Sequence, residues 1–131
     1  MIDILAIAII MLLIDGVYLS ITGHHFLKMV KKIQGVDSTI NYYSAGLTYF
    51  IMVLGLWYFV IKDMSTKNSF DSLVKAGFLG LLVYGVFDFT NLALFNKYDL
   101  FIAVTDTIWG SILFISVTII IFLLNKYIRI L

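Results

Sequence analysis

Apolar residues run through this chain in four blocks, at 2–22, 44–61, 76–95 and 100–124, parted by shorter polar stretches. Each block is continuous rather than alternating, so it lacks the period of a half-buried strand and reads as helix. At 1.5 Å per residue each is about long enough to cross a hydrocarbon layer roughly 30 Å thick. A helix also satisfies its backbone hydrogen bonds internally, as any lipid-exposed span must. The expectation is an all-α polytopic membrane protein, an antiparallel four-helix transmembrane bundle. Residues 1–131 form its single membrane domain, and the lipid bilayer is its first partner.

The connections refine this. In the longest, 23–43, Phe26, Met29, Val30 and Ile33 recur at helical spacing opposite Lys28, Lys31 and Lys32. That pattern predicts an interfacial helix over 24–34, lying in the headgroup layer with its lysines toward lipid phosphates. Gly35 and Asp37-Ser38 then mark a turn. The connection at 96–99 is so short that spans three and four must form a tight antiparallel hairpin. Tyr42, Tyr43, Trp57, Tyr58, Tyr98 and Tyr127 flank the spans and read as interface anchors.

Composition agrees with this layout. The chain is 62% hydrophobic and 13% charged, which leaves no material for a separate soluble domain. A net charge of +1 without a basic cluster argues against nucleic acid as a partner. The absence of cysteine excludes disulfides, thiolate metal sites and a cysteine nucleophile. Asp15 interrupts the first apolar block and no basic residue precedes it, so a retained span is expected rather than a cleaved signal. Four spans put both termini and the connection at 62–75 on one side, here side A, with Lys62, Lys67, Lys75, Lys126 and Arg129. Side B holds Lys28, Lys31, Lys32 and Lys97, a balance that leans toward cytoplasmic termini by the positive-inside rule.

Three aspartates, Asp15, Asp88 and Asp106, lie inside the apolar blocks with no basic residue near them there. A carboxylate at the centre of a span is unfavourable by about 2.5–3.5 kcal/mol on insertion scales, so each needs a proton, a cation or a polar neighbour. Counting from the side-B ends of their spans puts Asp15 about 12 Å deep, Asp88 about 10 Å and Asp106 about 9 Å. The three therefore share one layer. Tyr18 lies on the Asp15 face, Tyr84 and Asn91 on the Asp88 face, and Trp109 follows Asp106 by three. The indole N–H of Trp109 is too deep for an interface anchor and needs an acceptor such as a carboxylate. Gly77 and Gly80 permit close helix approach. Span two offers only Ser44 and Thr48 near side B, so spans one, three and four are expected to build the site.

The segment YGVFDFTNLALFNKYDLFIAVTDTIWG, Tyr84 to Gly110, resembles the signature of an uncharacterised family of small, mostly bacterial four-span predicted membrane proteins, a domain of unknown function. The matching positions are Tyr84, Asp88, Thr90, Asn91, Leu92 and Ala93, then Thr105, Asp106, Trp109 and Gly110, with Asp15 and Tyr18 in the first helix. Phe89 stands where leucine is expected. The resemblance implies the four-span fold and the polar site, and no activity.

Three functions fit these residues. The favoured one is a proton- or cation-linked binding or transport component, since intramembrane carboxyls at matched depth are typical of proton relays and ion sites. Its cofactor is then a proton or a hard cation, and four short spans imply a homo-oligomer. The second is a structural or assembly subunit whose aspartates bond helix to helix or to a membrane partner. The third is a metal-dependent, lipid-modifying enzyme, with aspartates holding a divalent ion against a phosphate. It is the least favoured, because the chain has no recognisable nucleophile arrangement, no phosphate-binding glycine loop and no basic residue within the spans. His24 and His25 read as interfacial polar residues, because adjacent helical side chains point about 100° apart.

Overall fold

The computed structural model describes residues 2–128; Arg129, counted in the charge comparison, lies outside them. Four helices follow one another: α1 (Ile2–Gln34), α2 (Tyr42–Phe59), α3 (Ser69–Leu94) and α4 (Leu100–Ile128), with one 3-10 turn, Ile61–Asp63, after α2. All four are long and apolar enough to cross a membrane. The end of α1 and the start of α2 are set by capping rather than by where hydrophobicity stops. The Asn41 side chain accepts the Ser44 N–H at 3.1 Å and starts α2. Gly35, at φ 83°, lets the chain turn out of α1 while its N–H closes on the Lys31 carbonyl at 2.8 Å. Polar residues that look like loop from hydropathy are helical here, as with Ser69 to Lys75 at the start of α3.

The largest departure from expectation is in α1. Residues 24–34 do not form a separate helix in the headgroup layer; they continue α1 without a break. The apolar stripe exists, but its partner is protein. Phe26, Met29 and Ile33 pack against Leu92, Tyr98, Ile102 and Ala103 of the α3–α4 hairpin. The Asp99 N–H points at the Met29 sulfur, 3.1 Å away. With no proline between Thr22 and Phe26, and an apolar face ready to cover the hairpin, nothing ends the helix there. At 33 residues α1 is about 50 Å long, more than the hydrocarbon layer can hold upright.

The bundle is closed at one end and open at the other. On side A, Ile7 and Met11 of α1, Leu56 of α2 and Leu113, Phe114 and Val117 of α4 are fully buried in one dry core. Toward side B, α2 leaves the bundle: no residue from 42 to 51 is buried, and α2 touches α3 only sparsely. The α3–α4 pair stays close throughout. A Cβ placed on Gly80 would land on the Gly110 carbonyl oxygen, and one on Gly110 would land on the Tyr84 ring. One on Gly77 would meet Ile115 Cδ1 at 2.8 Å. Glycine at the crossing is thus a packing requirement, of the kind that lets membrane helices approach backbone to backbone.

Gly80→Ala is expected to force α3 from α4 and destabilise the protein by about 1–3 kcal/mol. Gly55, where an added methyl group would meet nothing within 4 Å, should accept alanine at no loss. Denaturation of purified protein in detergent distinguishes the two.

Candidate functional site

Asp15 on α1 is nearly inaccessible, and both of its carboxyl oxygens are engaged. The Trp109 indole of α4 donates to Oδ1 at 2.8 Å, and the Tyr49 hydroxyl of α2 donates to Oδ2. One carboxyl thereby ties three helices together. Beside it the Tyr18 ring stacks on Trp109, with centroids 4.3 Å apart and planes 6° from parallel. Stacking fixes the indole so that its N–H can reach Asp15, and it sends the Tyr18 hydroxyl toward Asp106 Oδ1 at 3.4 Å.

Asp88 and Asp106 form the second part of the site. Asp88 is completely buried on α3, and its Oδ1 accepts the Tyr98 hydroxyl at 2.7 Å. Its Oδ2 has no protein donor among the described residues. The Asp106 carboxyl stands within hydrogen-bonding reach of Asp88. Two carboxyl groups can bond to each other only when one carries a proton, so this pair differs chemically from Asp15 with its two fixed donors. Asn91 reaches the group at second hand, as a neighbour of the Tyr98 side chain. In the α3–α4 connection, burial first and the bond to Asp88 second push the Tyr98 phenol well above its ordinary value, so it remains a donor to Asp88.

A cavity of about 820 Å³ opens beside these groups. Asp15, Tyr18, Tyr49, Tyr84 and Asp106 line its deep end, while His25, Lys28, Lys32, Lys97 and Asp99 stand at its side-B rim. Tyr84 also meets Phe114 edge-on at 6.5 Å, which joins the cavity floor to the dry core.

The structure brings the sequence-predicted residues into one neighbourhood. Asp15, Tyr18, Asp106 and Trp109 share linked contacts, Asp88 lies beside Asp106, Tyr84 lines the cavity, and Asn91 is next to Tyr98. Two functional side chains escaped the sequence reading. Tyr98 is not an interface anchor: it is 6% exposed and holds Asp88. Span two is not a bystander, because Tyr49 supplies one of the two donors to Asp15. A depth count would have found Tyr49, since it lies seven residues, about 10 Å, into α2 from Tyr42, in the aspartate layer. Of the two histidines, His25 lines the cavity and His24 does not. Among the described residues no three of His, Cys, Asp or Glu are grouped so as to hold a metal ion.

A family model described as predicted membrane protein (DUF2177) matches residues 1–123. No curated protein and no solved structure matches the chain.

Removing a donor tests the hydrogen-bond assignments. Tyr98→Phe leaves Asp88 buried without its one fixed donor and is expected to lower stability by about 1–2 kcal/mol. Tyr18→Phe removes only a 3.4 Å contact at a half-buried position and should cost less than half as much. Unfolding of both variants in the same detergent gives the comparison.

Proposed function

The chain belongs to the DUF2177 family of predicted membrane proteins, and we propose that this multi-pass membrane protein is a proton-linked binding or transport component. The observation that carries the reading is the Asp88–Asp106 pair: two carboxyls within hydrogen-bonding reach, one oxygen left without a protein donor, and no basic side chain among the hydrogen-bond and ion-pair partners of either. A proton held between them supplies the missing donor. Asp106 also lines the cavity, so gain or loss of that proton is coupled to whatever occupies the space beside it. A proton suits the donor set better than a hard cation does, because only two carboxyls and neutral phenols converge there. Four spans offer little room for a pathway, so transport by this route implies a homo-oligomer.

The second reading, an assembly subunit, draws its support from Asp15. With both oxygens bonded across α1, α2 and α4, that carboxyl is a bolt between helices rather than a free binding group. The two readings therefore divide the aspartates, Asp15 to architecture and the Asp88–Asp106 pair to chemistry.

Infrared spectroscopy of metal-free protein in nanodiscs at pH 7 is expected to show the C=O stretch of a protonated carboxyl. Asp88→Asn and Asp106→Asn should each abolish or shift that band, and Asp15→Asn should leave it. Full ionisation of all three aspartates in the unmodified protein would overturn the proposal.

A further inference from the structure

The cavity has properties that a proton does not require. Its volume of about 820 Å³ falls in the range of sites that enclose organic ligands. It is also elongated: its lining on α1 runs from Asp15 to Lys32, a rise of about 25 Å. On one side it is bounded by Ala45 and Thr48 of α2 and by Val83 and Phe87 of α3, in the half of the bundle where α2 has left its neighbours. Phe87 is half-exposed there. The gap between α2 and α3 thus opens through mostly apolar side chains, within the length of two helices apolar enough to cross a membrane.

The rim, unlike the floor, carries basic side chains. Lys28, Lys32 and Lys97 stand around it. The ion pairs among the described residues are Lys31–Asp37 and Lys75–Asp71, so none of the three rim lysines has a carboxylate partner. Lys97 reaches only the Lys32 carbonyl, at 3.4 Å. Asp99 is the rim carboxylate, and it is engaged at the start of α4, accepting the Ile102 N–H at 3.0 Å. A negatively charged group is therefore drawn to the rim by the lysines. An apolar side opening, a long cleft and an unpaired basic rim at one end match one kind of molecule.

We propose that the cavity takes an anionic lipid, which enters sideways between α2 and α3 and places its phosphate among Lys28, Lys32 and Lys97, with a hydrocarbon chain in the cleft against Val83 and Phe87. This names an occupant for the cavity of the proposed function. It rests on the lysines and the side opening, not on the proton between Asp88 and Asp106.

Native mass spectrometry of protein released from nanodiscs of phosphatidylglycerol and phosphatidylcholine in equal parts tests it. One phosphatidylglycerol per chain should be retained, at least about tenfold in preference to phosphatidylcholine. Lys28→Ala combined with Lys97→Ala should reduce that retention about tenfold or more. Both positions are exposed, so this variant keeps the fold. Lys62→Ala with Lys67→Ala, on side A, should leave retention unchanged. Val83→Trp fills the cleft without altering a charge and should also reduce retention. Equal retention of the two lipids, selectivity that survives loss of the rim lysines, displacement of the lipid by inorganic phosphate, or a lipid-free oligomer in which a second copy fills the gap would each overturn the proposal. Lipid retention is read by mass and carboxyl protonation by infrared absorption, so either proposal can fail while the other stands.

Discussion

A carboxyl group placed in the hydrocarbon layer is unfavourable by about 2.5–3.5 kcal/mol as an ion, while an average interhelical hydrogen bond in a membrane returns only about 0.6 kcal/mol. That imbalance shapes the side-B half of this bundle. Asp15 is held by donors from two other helices, and its position depends further on the Tyr18–Trp109 stack that orients one of them. Asp88 and Asp106 have fewer fixed donors and lie against each other. The first arrangement is complete as protein structure. The second leaves one Asp88 oxygen without a protein donor, and it is the one that borders the cavity through Asp106.

The same imbalance accounts for the division of the molecule into two halves. On side A, large aliphatic and aromatic side chains from all four helices meet in one core, and the buried Thr118 hydroxyl there bonds to its own helix through the Phe114 carbonyl at 2.7 Å. Packing there holds the helix ends together, and the Gly80–Gly110 crossing locks α3 to α4. Toward side B, the phenols and indole that serve the carboxyls are long and occupy space between helices. Tyr49 reaches Asp15 from a helix that has already moved outward, and the space it spans becomes the cavity. The extended end of α1 covers the α3–α4 hairpin and carries two of the rim lysines, so one helix contributes to both floor and rim.

Much of this was legible in the order of residues. Four apolar blocks, each too long and too continuous for strands, determined four membrane helices, and the short connection at 96–99 determined that α3 and α4 lie side by side. Counting from span ends put Asp15, Asp88 and Asp106 in one layer, because a straight helix converts sequence distance into depth at a fixed rise. The stripe of Phe26, Met29 and Ile33 was equally visible, since helical spacing reveals an apolar face wherever it occurs.

Which partner meets each face was decided only in three dimensions. Periodicity says that a face is apolar but not whether lipid or protein covers it, so the stripe on α1 pointed as well to a headgroup layer as to the hairpin it packs on. Tyr98 has an anchor's sequence position and is buried instead, because the end of α1 folds over it. Trp109 follows Asp106 by three residues, yet it serves Asp15 on another helix. Helix rotation and tilt depend on the summed packing of all four rods, and one-dimensional spacing carries no information about that sum. For the same reason the cavity, which exists only where α2 departs from α3, could not be read from the chain: an empty volume belongs to no residue.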